Sequence, residues 1–310
     1  MYNLSLNLAD IWPVMLTPFD EDYAINWQGL DSLIQWYLKA DIGGLFAVCG
    51  SSEMFALSEE ERLFLAKYVI QKVDGKGPVI VSGTFADSLD EQVDLIKQMS
   101  DLGAVFVVCL VNQFSQENDS SDTWIKNTEY ILEQTGDIPL GLYECPAPYH
   151  RFLSVEETKW AADTGRFVWM KETSENLELF SQKVEAAKGS PLKILNADAR
   201  FLLASQKAGG AGYSGIAANF YPKLLAWMCK HFNDGSELVN ELQTFFADKQ
   251  SIVNHKYLQN AKVFLKISDV EIGTFSRIND YEFTMAEVRE LVKLQDDILK
   301  FVDRLNRYET

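Results

Sequence analysis

Eight short apolar runs, each continuous rather than alternating, constrain the fold of this chain more than any other feature. They are Ile11–Thr17, Gly43–Cys49, Pro78–Phe85, Ala104–Leu110, Ile138–Glu144, Phe167–Thr173, Leu192–Asp198 and Ala211–Ala217. A strand with one face in water alternates apolar and polar residues. A run apolar at nearly every position suits a strand buried on both faces, in a parallel sheet covered by helices. The segments between the runs carry helix punctuation. Ser58-Glu59-Glu60-Glu61, Ser88-Leu89-Asp90-Glu91 and Ser154-Val155-Glu156-Glu157 are capping boxes: the hydroxyl accepts from a first-turn N–H, and the carboxylate three residues on accepts from the cap's own N–H. Gly75, Gly103, Gly136 and Gly165 stand where helical stretches end, as left-handed termination favours. Eight strand–helix units in about 230 residues predict an α/β fold, the (β/α)8 TIM barrel. The rival is a doubly wound open sheet, but Leu16-Thr17-Pro18-Phe19 after the first run lacks the Gly-rich turn of that fold.

After Phe232 the strand signals stop. Asn233-Asp234-Gly235-Ser236 reads as a turn and cap, followed by helical patterns over Glu237–Lys249, Ile252–Ile267 and Ala286–Leu305. A fourth capping box, Thr284-Met285-Ala286-Glu287, precedes the last of them. The expected organisation is a catalytic barrel over 1–232 and a C-terminal helical domain over 233–310.

Charge narrows the partners. The 310 residues hold 28 Lys+Arg against 45 Asp+Glu, a net charge of −17. Such a surface repels phosphate backbones and anionic lipid, so no nucleic acid and no membrane is expected among the partners. The longest apolar run, Val105–Val111, falls far short of the ~20 residues of a membrane span. Met1-Tyr2-Asn3-Leu4-Ser5-Leu6 has neither a basic n-region nor an apolar h-region, so a cytoplasmic protein is expected. Cys49, Cys109, Cys145 and Cys229 form no C-x-x-C pair and read as free thiols, mostly small hydrophobes at the ends of apolar runs. His150, His231 and His255 are scattered, so no His-based metal site is expected, and no cofactor. Asn118-Asp119-Ser120 and Asn3-Leu4-Ser5 match the glycosylation triplet by chance if the protein is not secreted.

In a (β/α)8 barrel the chemistry sits at the C-terminal ends of the strands. Those ends offer Thr17, then Gly50-Ser51-Ser52-Glu53, Tyr143-Glu144, Lys171-Glu172, Asn196 with Asp198, and Ser214-Gly215. Lys171 carries the most information. It follows Phe167-Val168-Trp169-Met170, so it projects from the end of an apolar strand. Desolvation there favours the neutral amine, which attacks a ketone to form an imine. The bland alternative is a Lys that snorkels or pairs with Glu172. Tyr143, one strand earlier, is placed to move a proton to and from such an imine, while Glu144 should face the other way. Gly50-Ser51-Ser52 is a small turn whose N–H groups and hydroxyls suit a carboxylate. Gly209-Gly210-Ala211-Gly212 precedes its strand and reads as packing at the barrel floor.

Together these residues resemble the dihydrodipicolinate synthase / N-acetylneuraminate lyase family. Gly50-Ser51-Ser52-Glu53 is similar to the family's Gly-[Ser/Thr]-[Ser/Thr]-Gly-Glu. Tyr143-x-x-Pro146 is similar to its Tyr-Asn-x-Pro, and Met170-Lys171-Glu172-Thr173-Ser174 to its Lys motif. Gly209-Gly210 through Ser214-Gly215-Ile216-Ala217-Ala218-Asn219 is similar to its strand-8 segment. The resemblance implies a class I lyase in which Lys171 forms a Schiff base with pyruvate or a 2-keto acid and Tyr143 is the acid/base. Ser51 and Ser52 would hold the carboxylate, Thr17 would support them, and Ser214, Gly215 and Asp198 would contact substrate. A homotetramer or dimer is implied as well. The chain departs from the pattern at three points: no Gly stands between Ser52 and Glu53, Pro148 occupies the place of an Arg, and Val111 that of a relay Tyr. The last two argue against dihydrodipicolinate synthase itself. His150 and Arg151 are the candidate substitutes for the missing charge, and Asn112, Gln113, His150 and Asp198 the candidates for distal contacts.

The expected reaction is aldol cleavage or condensation of a 2-keto-3-deoxy sugar acid or similar. A dehydratase acting on a keto-deoxy sugar acid needs the same Lys and Tyr. A non-catalytic barrel that senses a keto acid is the alternative of another class, since fold alone does not fix function.

Overall fold

The computed structural model describes Leu8 and residues 10–308. The N-terminal hexapeptide and the Asn3-Leu4-Ser5 triplet lie outside the described residues. Eight parallel strands alternate with helices: β1 Asp10–Ile11, α1 Trp27–Leu38, β2 Leu45–Ala47, α2 Glu59–Val73, β3 Val79–Ser82, α3 Leu89–Asp101, β4 Val107–Leu110, α4 Ser121–Gln134, β5 Leu140–Tyr143, α5 Val155–Asp163, β6 Phe167–Glu172, α6 Leu177–Ala186, β7 Lys193–Asn196, α7 Leu202–Lys207, β8 Gly212–Tyr213 and α8 Pro222–His231. The strand order is β1-β8-β7-β6-β5-β4-β3-β2. A parallel bridge between Val14 and Phe46 closes the ring between the first and second strands. The fold is a (β/α)8 barrel with a helical extension. Seven of the eight apolar runs contain a whole strand, and β1 overlaps the first run at Ile11; the strands are shorter than the runs because apolar burial continues beyond the paired residues.

The helix signals act as their chemistry requires. At α2, Ser58 Oγ accepts from Glu61 N and the Glu61 carboxylate accepts from Ser58 N at 2.9 Å. The boxes of α3 and α5 close in the same way. Gly75, Gly103, Gly136 and Gly165 all take positive φ.

Within the barrel, Trp12, Phe46, Phe106 and Trp169 fill the lumen. Trp169 packs at 5.6 Å from Phe46, 5.9 Å from Phe106 and 6.3 Å from Trp12, centroid to centroid. A Cβ on Gly44 would lie 2.6 Å from Trp12 Cη2, so only glycine lets that indole in. The lumen is a solid aromatic floor on which the strand-end residues stand.

The extension comprises α9 Glu237–Asn254, α10 Gln259–Ile267 and α11 Met285–Tyr308. The expected helix over Ile252–Ile267 is divided: α9 runs on to Asn254, and the chain turns through His255–Leu258 before α10. Lys256 takes a left-handed φ of 51° there, which no helix continues through. Ser236 has N-cap backbone angles, but its side chain makes no capping hydrogen bond. The box before α11 does close, with Thr284 N donating to Glu287 at 2.7 Å. Among the described residues no helix is long and apolar enough to cross a membrane.

Candidate active site

Tyr143 on β5 and Lys171 on β6 are register partners. Partners in a parallel pair point to the same face, so both side chains enter the barrel above the aromatic floor. Lys171 Nζ lies 4.4 Å from the centroid of the Tyr143 ring. Lys171 is only 5% exposed, and among the described residues no carboxylate pairs with it. Glu172, the alternative partner, faces outward and takes Lys183 of α6 at 2.9 Å. Glu144 takes the same ammonium at 2.6 Å from the neighbouring strand. Two carboxylates share one cation behind the sheet, and burial pushes Glu144 up to about 7.

Burial without a counter-ion lowers Lys171 from 10.5 to about 8. Desolvation outweighs the nearby Cys49 and Cys145 thiols, which favour the charged form. About a tenth of this amine is therefore neutral at pH 7, far more than for an ordinary Lys, and the neutral form is the nucleophile. Burial raises Tyr143 well above its ordinary range, so its phenol stays protonated and available as a donor.

A cavity of about 420 Å³ opens above these two groups. Ser51, Cys145 and Tyr257 also line it, as do the buried Met54 and Leu258 and the exposed Phe55 and Ile278. Gly50–Ser52 forms a single 3₁₀ turn. That turn uses two of its N–H groups internally: Ser52 N bonds Cys49 O at 2.9 Å and Glu53 N bonds Gly50 O at 3.0 Å. Ser51 places its hydroxyl at the cavity, 2.7 Å from that of Tyr257. A Cβ on Gly50 would lie 3.2 Å from the Tyr143 hydroxyl, so this backbone closely lines the phenol.

The residue expected to follow a glycine, Glu53, itself takes the left-handed conformation, with φ 57°. That costs roughly 1–2 kcal/mol without glycine. The carboxylate is held against the strain: Oε1 accepts from Lys262 Nζ at 2.8 Å, and Oε2 from Ser276 Oγ at 2.9 Å and Arg277 N at 2.7 Å. Glu53 lines the cavity with both oxygens already engaged, and it ties the strand-2 loop to the helical extension.

The remaining expected contacts are placed elsewhere. Ser52 Oγ donates to Met15 O at 2.7 Å, Thr17 Oγ1 to Ser52 O at 2.8 Å, and Ser214 Oγ to Trp12 O at 2.9 Å. Gly215 packs against Ala197 and Tyr213. Asp198 takes the Arg200 guanidinium at 2.6 Å. None of these five lines the cavity. A buried hydroxyl left unpaired is costly, and each takes the carbonyl nearest to it. The distal candidates act as braces. Asn112 donates to Cys145 O, Ala147 O and Tyr149 O at 2.6–2.9 Å; His150 bonds Thr173 Oγ1 at 2.8 Å; Arg151 pairs with Glu157 at 2.5 Å instead of supplying a charge to the cavity.

Tyr257 is the site residue that sequence reasoning missed. It lies between α9 and α10, inside what reads as one helical pattern, and no local signal marks it. Its hydroxyl also accepts from Asn219 Nδ2 at 2.6 Å, and Asn219 Oδ1 accepts from Tyr37. No cluster of His, Cys, Asp and Glu suited to a metal occurs among the described residues.

A barrel with a desolvated, unpaired amine ending its sixth strand and a phenol ending its fifth defines the class: the class I Schiff-base lyases. The chain belongs to the dihydrodipicolinate synthetase family, whose family profile matches residues 7–278. It is 27% identical over 227 residues to a 4-hydroxy-tetrahydrodipicolinate synthase of Methanosphaerula palustris, covering 73% of this chain and 76% of that one. Against the enzyme of the same name from Oceanobacillus iheyensis it is 24% identical over 294 residues, covering 94% and 98%. Among solved structures, YagE of E. coli, a prophage protein of the dihydrodipicolinic acid synthase family in complex with pyruvate, superposes with a TM-score of 0.84 at 21% identity, covering 94% of this chain and 98% of that one. A monomeric dihydrodipicolinate synthase variant superposes with a TM-score of 0.84 at 20% identity, covering 98% and 99%.

Proposed function

We propose that the chain is a class I lyase of pyruvate or another 2-keto acid, with Lys171 as the imine-forming amine and Tyr143 as the acid/base. The observation that carries this reading is the register pairing of the two, with the amine 4.4 Å from the phenol ring. The neutral amine adds to the keto carbon, the carbinolamine loses water with a proton from Tyr143, and the protonated imine withdraws electrons from the adjacent carbon. Cleavage or formation of the bond at that carbon follows, and water then releases the keto acid and restores the amine. Ser51, whose hydroxyl lines the cavity beside the pair and is anchored by Tyr257, receives the carboxylate in this reading. Carbon–carbon cleavage or condensation is the reaction proposed. The polar side chains expected to hold the hydroxyls of a 2-keto-3-deoxy sugar acid are engaged as braces, so the reading rests on the keto acid and not on a sugar tail. A homotetramer or dimer is the proposed assembly, to be checked by sedimentation.

Incubation with pyruvate and borohydride, followed by intact mass and peptide mapping, tests the chemistry. A reduced adduct on Lys171 is expected. A folded protein that gives no adduct overturns the reading.

A further inference from the structure

The cavity lining is uneven in polarity. Lys171, Tyr143, Ser51 and Tyr257 supply polar groups, while Met54, Phe55, Ala56, Ile216, Leu258 and Ile278 supply apolar surface. Two polar residues, Glu53 and Asn279, interrupt that surface. Glu53 has three donors on its two oxygens, as described above. Asn279 Nδ2 donates to Tyr257 O at 3.4 Å. Among the described residues lining the cavity, Lys171 is the only cation. The apolar surface therefore has no partner for a second carboxylate and no ladder for a polyhydroxylated chain, whose hydroxyls would lose water without replacement. It also leaves apolar side chains in water: Phe55 is 48% exposed and Ile278 54% exposed. About 420 Å³ is several times what a three-carbon acid occupies.

The geometry points to a 2-keto acid substrate whose tail, beyond the carbon that bonds to C3, is apolar: an aryl or branched alkyl group delivered as the corresponding aldehyde. This inference rests on the proposed imine chemistry. In the condensation direction, the Tyr143 phenolate left when its proton departs with water takes a C3 proton from the pyruvate imine on Lys171. The resulting enamine forms a bond from C3 to the aldehyde carbon, and the carbonyl electron pair moves to oxygen, which takes up the proton. Water cleaves the C–N bond, releasing a 4-hydroxy-2-keto acid with an apolar substituent at C4 and restoring the amine. The step needs no oxidant, reductant or metal.

The test uses the whole chain with pyruvate and three acceptors: benzaldehyde, glyceraldehyde and succinic semialdehyde. Rates are expressed per unhydrated aldehyde, and borohydride trapping is run in parallel. We expect kcat/KM for benzaldehyde to exceed that for each polar acceptor by about tenfold or more, the scale at which apolar pockets discriminate. Ile278→Asn, at an exposed position that leaves folding intact, should lower that ratio about threefold or more through KM for benzaldehyde. An adduct on Lys171 with no preference for benzaldehyde, or with no benzaldehyde product, overturns the inference and leaves the imine reading standing. An unchanged ratio in Ile278→Asn also overturns it. A folded protein without an adduct overturns both.

Discussion

Tyr143 and Lys171 stand opposite each other on adjacent strands, and the amine lies 4.4 Å from the centroid of the phenol ring. The ring and the hydroxyl have separable effects. Tyr143→Phe keeps the ring beneath the amine, so the pyruvate adduct should still form on trapping. Turnover should fall about 10²- to 10⁴-fold, the usual contribution of a positioned acid/base. Turnover unchanged in Tyr143→Phe would remove the phenol from the chemistry.

The lowered Lys171 predicts a pH profile. Its neutral fraction rises as pH rises through about 8. Adduct formation under single-turnover conditions should therefore climb about tenfold per pH unit well below that value and level off above it. A rate that keeps climbing past pH 9 toward the ordinary value of 10.5 would show that the amine is not desolvated in solution.

The same burial destabilises the fold. A folded-state value of about 8 against an ordinary 10.5 means that the unfolded chain binds more protons between those two values. Stability should rise with pH across that window, and below it the cost of burying the charge is felt in full. Lys171→Met should raise stability at pH 7 by up to roughly 3 kcal/mol, since each tenfold loss of proton affinity on folding costs about 1.4 kcal/mol. Urea unfolding at pH 7 and pH 10 checks this, with the gain expected to shrink at the higher pH.

Lys262 and Glu53 are both fully buried and pair at 2.8 Å. Removing one partner strands the other. Lys262→Met should cost about 3–5 kcal/mol, and adding Glu53→Gln should restore part of that loss. Because Glu53 also holds the strand-2 loop, the single variant should bind pyruvate more weakly even where it remains folded. Denaturant midpoints and trapping rates read the two effects separately.

Tyr257 reaches the site from the extension and bonds Ser51 at 2.7 Å. Tyr257→Phe frees that hydroxyl from its anchor. KM for pyruvate should rise about two- to tenfold, the worth of one hydrogen bond, with a smaller change in kcat. A change confined to kcat would place Tyr257 in the chemistry itself.

Much of the barrel was legible in the chain. Runs apolar at nearly every position suit strands covered on both faces, and the capping boxes of α2, α3, α5 and α11 lie where hydroxyl and carboxylate require. Lys171 and Tyr143 stood out because each ends such a run. The placements that differed share one cause. Ser52, Thr17, Ser214 and Asp198 also end runs or follow them, but whether a short polar side chain turns toward a cavity or toward the nearest backbone carbonyl or guanidinium depends on neighbours from other strands.

By itself, then, the sequence determined the alternation of buried strand and capped helix, because hydrophobic period and capping are local, and it placed an amine and a phenol at successive strand ends. Tertiary structure alone decided that Glu172 turns outward to Lys183 and leaves Lys171 unpaired. It also brought Tyr257 and Ile278 from the helical extension over the barrel mouth and left much of the cavity wall apolar. Those outcomes depend on which distant side chains meet, and desolvation, the force that sets both the amine's proton affinity and the chemistry of the cavity wall, exists only once they have met.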